Sequence, residues 1–364
     1  MHRRFVLVRE LCLAVEIREG GGTIHGMRLI TYDNAYEDII SPENLLEAWK
    51  EFVRGKRKRI DVQEFQLRLF EHIQQLHTDL KHTLYRHGHY TPFKINDPKP
   101  RDIHKALVRD RLLHHALYRK LYPFFDRTFI ADSYSCRNDK GTHRAFHRFD
   151  DFAYRASCGH TKTVWVLKCD VKKFFASIDH SILFEIIGRY VSDKNIIWLI
   201  REIVGSFHST RDGVGLPLGN LTSQLFVNIY MNEFDQFVKH KLKAKWYIRY
   251  ADDFVILHQD ENWLERILLE TQCLLNEKLC LILHPQKISI KTFASGVDFL
   301  GWVHFSTHRV LRTATKKRMF RNIEMKKQSN DAEKLRATVQ SYKGMLSHGD
   351  GYTLAMTVAS IIDN

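Results

Sequence analysis

The segment Trp246-Tyr247-Ile248-Arg249-Tyr250-Ala251-Asp252-Asp253-Phe254-Val255-Ile256-Leu257-His258 decides the fold. Trp246 to Arg249 and Phe254 to His258 read as two strands flanking a tight turn at Ala251-Asp252-Asp253. Adjacent aspartates at a hairpin tip repel each other, so a fold keeps them there only with compensation. A divalent cation provides it. Upstream, Thr163 to Cys169 is a buried-strand pattern that ends at Asp170. If that strand lies beside the hairpin, Asp170, Asp252 and Asp253 offer oxygens to two magnesium ions, with manganese as a substitute. Such paired ions stand about 3.5–4 Å apart; one activates an attacking hydroxyl and the other stabilises a leaving phosphate.

Composition points the same way. The 364 residues carry 56 Lys and Arg against 42 Asp and Glu, a formal charge of +14. That surplus favours a polyanionic partner, because each phosphate contact releases counterions. The six cysteines form no CxxC pair, which argues against a zinc site or a disulfide framework and fits a reducing cytoplasm. No apolar run approaches membrane-spanning length, so no membrane partner is expected. The opening MHRRFVLVRELCLAV is broken by Arg9, Glu10 and Glu16 and does not read as a secretion signal. Gly20-Gly21-Gly22 precede a second methionine, Met27, which is an alternative start.

Ser41-Pro42-Glu43-Asn44 opens a helix, followed by the basic run Arg54 to Arg59. One long helix is expected from Val62 to His82, then strand, turn and strand from Tyr90 to Lys105. Helices are expected at Arg109 to Tyr122, Asp179 to Tyr190, Asp193 to Val204, Leu221 to Leu242 and Glu261 to Leu279. Short strands are expected near Ile288–Ile290 and Val297–Trp302, then a basic helical tail from Thr313.

Six motifs, in order over about residues 40 to 325, resemble reverse transcriptases. Tyr250 to Asp253 matches their YxDD box, and Asp170-Val171-Lys172-Lys173-Phe174-Phe175 their first aspartate motif. Leu216 to Gln224 (LPLGNLTSQ) sits where the family faces template and nucleotide. His284-Pro285-Gln286-Lys287 resembles the family's lysine motif, Phe299-Leu300-Gly301-Trp302 its primer grip, and Pro98-Lys99-Pro100-Arg101 its fingers motif. Within the family the vocabulary is most similar to enzymes of bacterial diversity-generating retroelements: PKPR, DRLLHHAL from Asp110, SYSCRNDKGTH from Ser133, GLPLGNLTSQLF and THRVLR from Thr307. Group II intron-like and defence-associated bacterial enzymes share much of it.

The resemblance implies an α+β right-hand polymerase with an antiparallel palm sheet, helices on one face, fingers and a short helical thumb. The expected division is an extension over residues 1–40, fingers and palm over 41–305 and a thumb-like region over 306–364. No ribonuclease H, endonuclease or maturase segment is expected after the thumb. The implied partners are an RNA template, a primer or cDNA strand, dNTPs and an accessory variability protein. The implied reaction is nucleotidyl transfer, error-prone at template adenines.

Asp170, Asp252 and Asp253, with Val171, are the implied metal ligands. Lys287 is an implied general acid for pyrophosphate. Lys99 and Arg101 are candidates to grip the triphosphate, with Lys105 a weaker one. Phe175 is a candidate to exclude a 2′-hydroxyl, with Phe174 in the core by strand alternation. Leu218, Gly219 and Gln224 are assigned to the nucleotide, Gly219 and Asn220 through close backbone approach. Arg309, Arg312, Lys316, Lys317, Arg318, Arg321, Lys326 and Lys327 are expected to track a nucleic-acid backbone. Two alternatives stand beside this reading: an antiviral-defence reverse transcriptase, and a non-catalytic RNA-binding protein on a polymerase scaffold.

Overall fold

The structure is a computed structural model that describes residues 31–33, 35–96, 100–329 and 331–363. The expectations for residues 1–26, for Met27 and for Lys99 lie outside the described residues. Its strands in chain order are β1 (Thr91–Ile95), β2 (Arg101–Lys105), β3 (Trp165–Asp170), β4 (Trp246–Tyr250), β5 (Asp253–His258), β6 (Ser289–Thr292), β7 (Val297–Phe299), β8 (Trp302–His304) and β9 (Arg309–Leu311). Every pairing among them is antiparallel.

The palm is the four-stranded sheet, in the order β4-β5-β3-β6. Phe254, Val255, Ile256 and Leu257 of β5 are all buried, a continuous apolar run that requires cover on both faces. Alternation along the strands then divides them between two cores. Leu167, Cys169, Phe254 and Ile256 join the large core built from the Val108–Asp126, Leu221–Gln236 and neighbouring helices. Val166, Ile248, Val255 and Leu257 pack instead with Phe149, Phe152 and Phe299. Phe149 and Phe152 belong to a helix at Thr142–Ala156, so the palm has helical cover on its second face as well, contrary to the one-sided cover expected.

The N-terminal helices pack on the Val108–Asp126 helix in the large core. Ser41 caps the Pro42–Phe52 helix by accepting from the Asn44 amide at 3.2 Å, with proline in the first turn. Ser41→Ala is expected to lower stability by about 1 kcal/mol, and Ser41→Gly by only a few tenths. Parallel thermal melts check this; equal losses would show that the hydroxyl does not cap. The preceding Tyr36–Ile40 helix buries Tyr36, Ile39 and Ile40, so packed chain begins ahead of residue 41.

The single helix expected from Val62 to His82 is two helices, Ile60–Leu67 and Leu69–Lys81, broken at Arg68. The break is local: Arg68 has φ of −121° and ψ of 36°, outside the helical range. Val62 is buried from the first helix and Ile73, Leu76 and Leu80 from the second. Leu67 and Phe70, on either side of the break, lie 86% and 75% exposed. Likewise the helix from Leu221 ends at Gln236 and continues as a wider π turn, Phe237–Lys241. Beyond the palm, β7-β8-β9 form a small sheet that leads into helices Thr313–Gln328, Ala332–Leu346 and Tyr352–Asp363.

Candidate active site

Register places the carboxylates. Along the β3–β5 ladder Asp170 lies opposite Asp253, and Tyr250 closes against Asp253 on the other side. The Asp252 carbonyl accepts from the Val171 amide at 3.1 Å, which fixes the turn against the end of β3. Ala251 makes the bend with φ of +55°, a left-handed backbone that costs a non-glycine residue about 1–2 kcal/mol. Burial, reinforced by the charge of Asp170, raises the pKa of Asp252. Burial also pushes Asp253 up to about 6, with Asp252 and Asp170 adding to it and Lys168 opposing.

These residues fit a divalent cation by charge and donor type: three carboxylates crowded at one strand end, two of them resisting ionisation. Among the described residues they do not converge as a ready-made cage of three ligands. The Asp170 carbonyl accepts from the His284 amide at 2.7 Å, and the short 3₁₀ turn Pro285–Lys287 follows. That turn brings Lys287 Nζ to 2.6 Å from Asp170 Oδ1. An ammonium therefore already neutralises one of the three carboxylates.

The Leu216 amide donates to the Phe175 carbonyl at 2.8 Å, and the His104 amide of β2 donates to the Leu218 carbonyl at 3.2 Å. Asn220 Nδ2 donates to the His104 carbonyl at 3.3 Å. So the segment from Leu216 to Asn220 is clamped between the palm and the fingers hairpin. Gly219, with φ of +102°, lets that hairpin approach: a Cβ there would stand 2.9 Å from Ile103 Cγ2. The close approach expected at Gly219 is thus made, in this structure, by a fingers side chain. Leu216 is buried whereas Leu218 and Gln224 are partly exposed. Phe174 is buried and Phe175 half-buried. The reason is a 3₁₀ turn at Phe174–Ser177 rather than the strand alternation expected. Arg101 is exposed on β2, and its charge favours ionised Asp252.

The family comparison matches this arrangement. Residues 95–304, more than half of the chain, match the family described as reverse transcriptase (RNA-dependent DNA polymerase). The chain belongs to the reverse transcriptase family. Similar curated proteins include protein YkfC of Escherichia coli, 27% identical over 69% of this chain and 76% of that one. The group II intron-encoded protein LtrA of Lactococcus lactis is 27% identical over 42% of this chain and 25% of that one. An uncharacterized 91 kDa protein in a cob intron of Schizosaccharomyces pombe is 23% identical over 68% of this chain. This reverse transcriptase spans only about a quarter of the length of those two intron proteins.

Elsewhere in the reverse transcriptase the structure redirects several basic residues. Lys105 is held by Asp61 at 2.7 Å, an anion it shares with Arg111, rather than standing free for a triphosphate. Arg309 is turned inward, ion-paired to Asp150 and stacked over the Phe146 ring at 4.4 Å. Arg312 pairs with Asp298 at 2.9 Å. Lys316, Lys317, Arg321 and Lys327 are exposed on the first thumb helix. That helix borders a cleft of about 840 Å³ whose walls include Asn96 of the fingers and Arg321, Lys326 and Tyr342 of the thumb. Among the described residues no helix is long and apolar enough to cross a membrane. Sequence reasoning missed Arg249, which is fully buried immediately before the YxDD box. A charged residue inside an otherwise apolar strand was the available signal.

Proposed function

We propose that this protein copies RNA into DNA by two-metal nucleotidyl transfer, as the reverse transcriptase of a diversity-generating retroelement. The observation that carries the chemistry is the register of Asp170 opposite Asp253, with Asp252 beside them, at the end of the palm sheet. Asp170, Asp252 and Asp253, with the Val171 backbone, would hold two magnesium ions. Bound there, the ions lower the pKa of a primer hydroxyl and neutralise charge on the leaving pyrophosphate.

The chain's own residues do the rest. Arg101 grips the triphosphate from the fingers, as a planar guanidinium suits phosphate, together with Lys99. Phe175 packs under the sugar and disfavours a 2′-hydroxyl. Leu218, Gly219 and Gln224 line the nascent base pair. Lys287 shields Asp170 before substrate enters and then hands a proton to pyrophosphate. The exposed thumb cations hold the primer–template duplex by its phosphates, and an accessory variability protein is the expected partner.

Oligo(dT)-primed poly(rA) with labelled dTTP tests the activity. Incorporation that requires Mg²⁺ and prefers dTTP to UTP is expected; RNA binding without incorporation would leave the scaffold reading. A second reading, an intron-type reverse transcriptase, is favoured by the likeness to the group II intron-encoded protein LtrA. It predicts ordinary fidelity at template adenines.

A further inference from the structure

Arg249 and Asp235 are both fully buried and form a two-point ion pair: Arg249 Nε donates to Asp235 Oδ1 at 2.8 Å and Nη2 to Oδ2 at 2.7 Å. The remaining donors are also used. Nη2 reaches Ser133 Oγ at 3.1 Å, and Nη1 reaches Asn228 Oδ1 at 3.3 Å and the Ala251 carbonyl at 3.2 Å. A guanidinium has five N–H groups, and each has an acceptor here. Asp235 is held in turn by the Tyr247 hydroxyl at 2.6 Å.

One of those five bonds lands on the strained residue of the catalytic turn. Ala251 is the left-handed residue of the bend, and its carbonyl is the group Arg249 grips. The backbone of Arg249 is fixed as well, by its amide on the Asp132 carbonyl and its carbonyl on the Tyr134 amide, each at 3.0 Å. A second strut runs from the same loop, where Thr142 Oγ1 meets the Tyr250 hydroxyl at 3.0 Å. The Asp132–Thr142 segment thus braces the outer edge of β4 at Arg249 and Tyr250, and Arg249 carries the hold on to Ala251. Strained backbone persists only where its surroundings over-determine it, and these contacts supply that.

We propose that Arg249, locked by Asp235, is a positioning residue: it holds the Ala251 peptide so that Asp252 and Asp253 are presented together to the metal ions. This rests on the reading that those two aspartates are metal ligands. Arg249 touches neither substrate nor metal and acts only through the turn. A lysine keeps the charge against Asp235 but lacks the fork that reaches Asp235 and the Ala251 carbonyl at once.

The test uses the full chain in four forms: wild type, Asp252→Asn, Arg249→Lys, and Arg249→Met with Asp235→Leu and Tyr247→Phe. The last replaces the buried pair and its hydroxyl by apolar groups, an exchange often tolerated by folds. Melting temperature, kcat and KM for dTTP on oligo(dT)-primed poly(rA), and Mn²⁺ affinity from the free-ion EPR signal are read for each. In Arg249→Lys and in the apolar triple variant, kcat is expected to fall about 100-fold with KM within about threefold, since misplacement near 1 Å costs that much. Mn²⁺ affinity is expected to fall about tenfold in both, read at a temperature where the melts show each variant fully folded. Wild-type kcat and Mn²⁺ affinity in either folded variant, with Asp252→Asn inactive, overturns the positioning role alone. An active Asp252→Asn overturns the metal reading beneath it. Failure of both Arg249 variants to fold assigns the pair to the fold rather than the turn and also overturns the proposal.

Discussion

Asp252→Asn and Asp253→Asn are expected to abolish incorporation, by roughly 10³-fold or more, which is about 4 kcal/mol of transition-state stabilisation. RNA binding should survive, because the exposed thumb cations are untouched. The same change should stabilise the protein when no divalent ion is present. Asp253 has a pKa of about 6 in the folded chain, pushed up first by burial, against about 3.9 when unfolded. Its ionised form is therefore disfavoured by folding. Below about pH 4 both states are protonated and nothing is lost. The penalty grows between about pH 4 and 6 and is complete above 6. Two pKa units set a ceiling near 3 kcal/mol, and partial exposure of the carboxylate reduces this to about 1–2 kcal/mol.

Thermal melts in EDTA should then show Asp253→Asn above wild type by about 2–4 °C at pH 8, with the gap closing from pH 6 to pH 4. Buried histidines act with the opposite sign in the same window. Burial drops His115 to about 4, so it costs stability as pH falls below about 6.5. It does so equally in both proteins and cancels in the difference. Adding Mg²⁺ should raise the wild-type melting temperature and leave the variant nearly unmoved. An Asp253→Asn protein that melts below wild type in EDTA at pH 8 would show that folding does not disfavour the ionised Asp253. One that polymerises normally would refute the metal assignment.

The carboxylate site was legible because its information is local. Two β-rich runs, a two-residue bend and paired aspartates appear within 13 residues, and the hairpin sets its own register. The strand ending at Asp170 could be paired with it because its apolar run is too continuous for an exposed edge. The second palm cover was legible too. Ala145, Phe146, Phe149, Phe152, Ala153 and Ala156 recur at helical spacing and are all buried. That period begins directly after the polar loop motif from Ser133, whose residues read as functional rather than as the lead into a core helix. Arg309 and Lys105 show the opposite limit. A basic residue reads alike whether it meets a phosphate or a carboxylate distant in sequence, and Asp150 and Asp61 lie 159 and 44 positions away. Arg249 could be seen as odd but not explained, since its partners come from the Ser133 loop, the Leu221–Gln236 helix and its own turn.

Leu218→Gln is expected to make copying of adenine more accurate. The leucine lies on the partly exposed side of a segment whose backbone is pinned to β2 by the His104 amide. Leu216, two residues earlier, is the one that fills the core. A side chain held at 218 can therefore meet the nascent base pair without rearranging the palm. Glutamine there offers hydrogen bonds near the nucleotide sugar and template, which a misaligned pair would fail to satisfy. Leucine offers apolar contact alone, so right and wrong pairs differ less in the transition state. Each net hydrogen bond contributes about 1 kcal/mol, and about 1.4 kcal/mol is tenfold in rate. One or two such bonds change misincorporation by roughly one to two orders of magnitude. Sequencing of cDNA made on an adenine-rich RNA compares the two proteins. Frequent wild-type errors opposite adenine, cut about tenfold or more in Leu218→Gln, are the expected result. Accurate wild-type copying at adenine would refute both this mechanism and the diversity-generating role. Frequent errors unchanged by the substitution would keep the role and move the cause to another contact with the pair, of which Gln224, on the Leu221–Gln236 helix that follows, is the candidate to replace next.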